Sequence, residues 1–234
     1  MGRLENKIIP VKLKITNCYL IRGSNGFVMV DAGPPGSAGI FLKKLQKHSL
    51  DPKEITFIFV SHGHWDHWGS LQEIEEISRA RSGINHREKE WVENGMVELP
   101  GGIGAWGKTV RTLMQIMRPL INKQLKGTSI GMALSDDEFS LEEFGIKGRL
   151  LHTPGHTDGS MSLLLDSGEA FVGDLAMSGP PRLSGPGPFV LGKDINTMKR
   201  SWQFLLDAGA TKIYPSHGKP FNARVFDEYY KSRK

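Results

Sequence analysis

Ser61-His62-Gly63-His64-Trp65-Asp66-His67 places four potential metal ligands within six residues. The run before it, Ile55-Thr-Phe-Ile-Phe-Val60, is apolar, β-branched and aromatic, lies between Pro52 and Gly63, and reads as a buried strand. A strand that ends in ligands presents them at a sheet edge, where a cleft can form. Extended backbone over 62–64 sets His62 and His64 on one side, because side chains alternate with period two. Gly63 lets the chain turn between them. Asp66 and His67 open a pattern in which Leu71, Ile74 and Ile77 recur at helical spacing. One pair of ligands therefore comes from a strand end and the other from a helix N-terminus. A single catalytic zinc keeps a position open for water and does not need four ligands from one loop. The two pairs are expected to serve two ions.

The bulk properties narrow the class. A chain of 234 residues suits one generous domain with a full core, and 38% hydrophobic against 24% charged residues describes an ordinary globular protein. No apolar run approaches a membrane span, and Met1-Gly-Arg-Leu-Glu-Asn-Lys7 has no signal-peptide core. Cys18 is the only cysteine, so no internal disulfide forms. A cytoplasmic protein without a membrane or nucleic-acid partner is expected; the net charge of +5 is too modest to imply nucleic acid. Cys18 itself reads as a packed small residue.

Along the chain, residues 11–22 and 27–30 read as a strand hairpin turned at Gly23-Ser-Asn-Gly26. Asp31 ends the second strand and is expected to hold a ligand's other face by hydrogen bonding. Helices are expected over 38–48, 67–80 and 87–93, with a short strand near Ser82–Asn85. His48 and His86 read as structural. Residues 95–135 change texture: Gly-rich at 101–107, then amphipathic over Thr109–Lys126, with Pro119 expected to kink or reset the helix. This segment reads as an inserted lid. From Leu99 to Ser135 it has no acidic residue yet carries Lys108, Arg111, Arg118, Lys123 and Lys126, which favours an anionic substrate if it covers a cleft. The second half repeats the texture of the first, with strands at 146–152, 160–165, 169–172 and 212–214 and helices at 194–206 and 222–230. Two αβ halves packed sheet against sheet, helices outside, are expected.

Three more strand-end loops carry a histidine or aspartate beside glycine: Thr153-Pro-Gly-His156, Phe171-Val-Gly-Asp174 and Tyr214-Pro-Ser-His217-Gly218. The series Asp31, His62-x-His64-x-Asp66-His67, His156, Asp174, His217 resembles the metallo-β-lactamase superfamily over essentially the whole chain outside the lid. The resemblance implies an α+β fold, an αββα sandwich. It implies a first metal on His62, His64 and His156, a second on Asp66, His67 and His217, and Asp174 bridging them. Asp66 would also orient the nucleophile. Ligands without thiolates suit zinc, iron or manganese, and two zinc ions per chain are expected. The reaction implied is hydrolysis by a metal-bound hydroxide, on a small anionic thioester, lactone or ester, since Thr153–Ser160 resembles the glyoxalase II and lactonase branches. A glutathione substrate is not expected, because the chain lacks that branch's helical extension. A single-iron thiol or persulfide dioxygenase on the same ligands is the alternative.

A rival motif runs from Gly102 to Thr109, matching G-x-x-x-x-G-K-[ST], the phosphate loop of nucleotide-binding proteins. It would need a buried strand feeding it, and Met96–Pro100 is short, charged and ends in proline. Lys108 and Arg182, the latter in the Pro/Gly-rich loop 179–189, are the candidate substrate-binding cations, with exposed surface positions as the ordinary alternative.

Overall fold

The computed structural model describes residues 7–231, except 97, 183 and 184; the reading of the N-terminal residues Met1 to Asn6 lies outside it. Two six-stranded sheets form, in the orders β1-β2-β3-β4-β5-β6 and β12-β11-β10-β9-β8-β7. The first contains β1 (Ile8–Leu13), β2 (Thr16–Gly23), β3 (Gly26–Val30), β4 (Ile55–Phe59), β5 (Arg81–Asn85) and β6 (Met132–Leu134). The second contains β7 (Phe139–Ser140), β8 (Gly148–His152), β9 (Met161–Leu165), β10 (Glu169–Phe171), β11 (Lys212–Tyr214) and β12 (Phe221–Asn222).

Strand alternation explains why the sheets stack. Val28 and Val30 of β3, Phe57 and Phe59 of β4, and Leu163 and Leu165 of β9 point into one shared core between the sheets. Their neighbours Phe27, Met29 and Ile58 point the other way, against Phe41 and Leu45 of α1 (Ala38–Lys47) and Leu71 and Ile74 of α3 (Leu71–Ser78). On the far side, Leu164 and Ala170 pack with Met198, Trp202 and Leu205 of α6 (Ile195–Asp207) and Phe226 of α7 (Arg224–Lys231). Both sheets are apolar on both faces, so each needs a helical cover outside and the other sheet inside. That is the expected αββα sandwich.

The structure corrects three details. The strand expected over 11–22 is two antiparallel strands, turned at Lys14-Ile15 with Lys14 at φ 54°. Neither residue is an ordinary turn former, so nothing in the sequence marks the break. The helix expected over 67–80 is the single-turn α2 (Trp65–Trp68) followed by α3, parted at Gly69, whose amide returns to the Trp65 carbonyl at 2.9 Å. In the 95–135 segment, α5 (Gly104–Asn122) begins earlier than Thr109 and runs through Pro119. The remaining helix is α4 (His86–Glu93). Among the described residues, no helix is long and apolar enough to cross a membrane.

Candidate metal centre

Each site residue follows the C-terminal end of a strand. Asp31 follows β3, the loop from Ser61 to α2 follows β4, His156 follows β8, Asp174 sits in a 3-10 turn after β10, and His217 follows β11. The sandwich brings these ends to one rim. All seven predicted ligands meet there in two sets: His62, His64, His156 and Asp174, and Asp66, His67 and His217. Within each set the ligand atoms lie within 4.8 Å of one another.

In the first set the three imidazoles form a propeller, each pair of rings 4.7 Å apart and at 88°. His62 Nε2 and His156 Nε2 approach His64 Nδ1 at 2.9 and 2.8 Å. The other faces of two rings are already committed. His156 Nδ1 donates to the Leu191 carbonyl at 2.9 Å, and His62 Nδ1 lies 3.1 Å from Ser61 Oγ, whose own proton goes to Asp31. With those tautomers, Nε2 of both rings is a lone pair aimed at the centre. These two lone pairs converge on His64 Nδ1, which carries at most one proton for both, so the cluster is short of donors and suits a cation.

The second set shows the same need. His67 donates from Nδ1 to Asp31 Oδ2 at 2.8 Å, which leaves its Nε2 buried without a partner. His217 Nε2 and Asp174 Oδ1 are likewise buried without a hydrogen-bond partner. His217 Nε2 is 3.3 Å from both Asp66 Oδ2 and Asp174 Oδ1, while His156 Nε2 and His67 Nε2 are each 3.6 Å from Asp174 Oδ2. Bonds of about 2.0–2.2 Å to a tetrahedral zinc give ligand–ligand edges of about 3.3–3.6 Å. The 3.3–3.6 Å separations to the carboxylates are of that size, the 2.8 and 2.9 Å contacts to His64 are a few tenths of an ångström shorter, and Asp174 faces both sets. These residues fit a pair of ions.

Charge is divided between the sets. Burial, joined by the neighbouring His67 and His156, pushes His62 well below the ordinary histidine value, and burial and His156 push His64 down to about 3. Burial lowers His156 too, against the pull of Asp174. For His67, burial opposes the charge, but Asp31, Asp66 and Asp174 outweigh it and raise the value well above the ordinary one. His217 is raised by Asp174 and Asp66 against the same burial. Burial works to raise Asp66 and Asp174, yet the surrounding histidines hold both below the usual carboxylate range.

Several residues hold the centre together, and apart from Asp31 they went unnoticed in the sequence. Asp31 is fully buried and takes four hydrogen bonds: from the Ser61 amide, Ser61 Oγ, His67 Nδ1 and Ser216 Oγ, at 2.8–3.1 Å. Through the serines it joins the two sheets. Thr16 Oγ1 reaches Asp66 at its carbonyl (2.9 Å) and its Oδ2 (3.3 Å). Glu88 of α4 is fully buried and accepts from the amides of Gly63 and Gly159 (2.9 Å for the latter), tying the His62–His64 loop to the loop carrying His156. Burial raises its carboxyl above the ordinary value. The serines and Thr16 look like any small polar residue in the sequence, and Glu88 is one charge in a charged helix.

A cavity of about 600 Å³ opens from the centre. Its floor includes His64, Asp66, His156, Asp174 and His217, and its walls are mainly apolar: Trp65, Leu99, Val110, Met114, Phe189 and Leu191. Its cations are Lys12 and Lys14 of the β1–β2 hairpin. The two expected cations are elsewhere. Lys108 is exposed on α5 and does not line the cavity; the Arg182 side chain is engaged with the Gly185 carbonyl at 2.7 Å on its own loop. Tyr214 stacks on Phe171 with ring centres 4.8 Å apart and does not line the cavity. The Gly102–Thr109 motif is no phosphate loop: Gly107, Lys108 and Thr109 lie inside α5, and the Gly107 amide is spent on the Ile103 carbonyl.

The metallo-beta-lactamase superfamily model matches residues 11–217. The chain belongs to the metallo-beta-lactamase superfamily. It is 27% identical to the probable metallo-hydrolase YflN of Bacillus subtilis, over 92% of this chain and 84% of that one. It is also 27% identical to a probable metallo-hydrolase of Methanocaldococcus jannaschii, over 87% and 88% of the two chains. Among solved structures it is similar to a metallo-beta-lactamase family protein of Thermus thermophilus (TM-score 0.67, 20% identity, 97% of this chain and 78% of that one). A superfamily protein of Sulfolobus tokodaii matches with TM-score 0.66 at 20% identity, over 97% and 86%. With this family and this donor set, the superfamily member is a metallo-hydrolase.

Proposed function

We propose that the protein hydrolyses a small anionic thioester, lactone or ester at a two-zinc centre. The observation that carries this reading is the pairing of two complete donor sets, with buried nitrogens and a carboxylate oxygen left without partners, on the floor of an apolar cavity. His62, His64 and His156 would hold one ion, Asp66, His67 and His217 the other, with Asp174 shared. When bound, such a pair supplies Lewis acidity and lowers the pKa of coordinated water.

The chain's own residues do the rest. Asp31 fixes His67 in the tautomer that turns Nε2 inward, and the Leu191 carbonyl does the same for His156. Asp66, positioned by Thr16, is the carboxylate placed to bind metal and to orient the attacking group. Trp65, Phe189, Val110 and Met114 exclude water around the scissile bond, which strengthens every charge interaction there. Lys12 is the cavity's cation for a substrate carboxylate or phosphate; the Lys14 ammonium is held by the Pro35 carbonyl. In this reading the whole chain works as a single domain in the cytoplasm, with residues 95–135 as its lid.

A panel of thioesters, lactones and phosphodiesters, assayed after defined loading with zinc, manganese or iron, tests the reading. Turnover of an ester-class substrate, abolished by chelation and restored by zinc, is expected. Full activity with one iron and consumption of oxygen would replace hydrolysis by thiol oxygenation.

A further inference from the structure

Helix α5 touches the rest of the molecule along a narrow strip. Gly107 and Ile121 are buried, and Val110 and Met114 turn to the cavity. Leu113, Ile116, Met117 and Leu120 remain exposed at 59%, 72%, 48% and 64%. Their spacing of three, four and seven residues places them in one stripe. Trp106, 52% exposed, lies on the same side two turns earlier, its indole donating to the Pro181 carbonyl at 2.8 Å. So continuous an apolar surface on a helix marks a contact made with something else.

Charge selects the occupant. The segment from Leu99 to Ser135 carries Lys108, Arg111, Arg118, Lys123 and Lys126 and no acidic residue. A second copy docked stripe to stripe would set these cations against their own kind, with no carboxylate on the segment to pair them. A bilayer with anionic headgroups satisfies both features at once, taking the apolar stripe at the headgroup–acyl boundary and the cations at the phosphates. The adjoining side of the same helix forms a wall of the apolar cavity, so the surface that would meet acyl chains continues into the site.

We propose that α5 docks this protein on anionic lipid surfaces, through Leu113, Ile116, Met117 and Leu120 with Lys123 beside them at the end of the helix. The expectation of no membrane partner was drawn from the absence of a spanning segment and does not bear on surface binding. Binding is read without turnover, so its outcome is independent of the hydrolase reading.

The test is co-sedimentation of the full chain with vesicles of phosphatidylcholine, alone or with about 30% phosphatidylglycerol. Binding to the mixed vesicles about tenfold or more above the neutral ones, weakening with salt, is expected. The double variant Ile116→Asp/Leu120→Asp should lose about tenfold or more with an unchanged melting temperature, because both positions are exposed. Lys123→Glu, which keeps the stripe, should lose at least about fivefold and flatten the salt dependence. Failure of the native chain to bind, or binding that neither variant weakens, overturns the proposal. So does a dimer in light scattering that Ile116→Asp dissolves while vesicles are ignored, since a second copy would then cover the stripe.

Discussion

Asp31 adopts φ 60°, a left-handed conformation that costs a non-glycine residue of order 1 kcal/mol or more. Its four hydrogen bonds hold it there, and they set the direction of His67. Asp31→Ala should therefore weaken metal binding at the Asp66–His67–His217 set about 10–100-fold, with a smaller effect on the other set; competition with a chromogenic chelator would measure both. The protonation contrast between the sets leads to a second expectation. A histidine must be neutral to bind metal. Burial lowers His62 and His64 well below the ordinary value and His156 below it, whereas His67 and His217 are raised above it, their carboxylate neighbours overcoming burial. Loading the second set thus expels protons that the first set does not carry. As pH falls from neutral towards about 5, the second set should lose its ion first, and metal content after stepwise dialysis should fall through a plateau of roughly one per chain. Simultaneous loss of both ions would contradict this division.

At the scale of elements, the apparent phosphate loop has a packing explanation. A Cβ on Gly102 would lie 2.4 Å from the Gly107 carbonyl carbon, and one on Gly107 would lie 2.1 Å from the Val190 carbonyl oxygen. The two glycines let the start of α5 sit directly on the 190 loop, which closes the cavity beside His156. Gly107→Ala should cost about 1–3 kcal/mol in urea unfolding and enlarge or deform the cavity. Lys108→Ala, at an exposed position, should stay within about 0.5 kcal/mol and leave metal content unchanged. Pro119 shows the limit of a rule applied without its surroundings. It removes one helical amide, but it lies in an exposed part of α5, where water can serve the Gln115 carbonyl, and the helix continues to Asn122.

At the scale of the molecule, the sequence disclosed whatever depends on local pattern. Strands β3 and β4 are short apolar runs that end in functional groups, so their existence and the site residues after them could be read directly. Convergence of distant loops followed only from the superfamily resemblance, since no local pattern reports that His156 and His64 lie 2.8 Å apart across 92 residues. The supports were illegible for a different reason. Glu88, Thr16, Ser61 and Ser216 act through buried hydrogen bonds whose partners come from other elements, and a carboxylate between Arg87 and Lys89 looks like surface charge until burial is known. The split at Lys14-Ile15 and the outward apolar stripe of α5 are likewise set by what packs, or fails to pack, against them. Trp202 stacked on Phe226 and Phe57 on Phe144 belong to separate cores on either face of a sheet, which is how a chain of this length keeps two layers rigid enough to place ligands from opposite sheets.

The convergence of two donor sets on one rim is tested most directly by metal content per chain, measured by plasma mass spectrometry on the zinc-loaded protein and on His217→Ala. The native chain should carry about two ions and the variant about one, with His62, His64 and His156 keeping theirs. One ion in the native protein, or two retained without His217, would contradict the two-set centre.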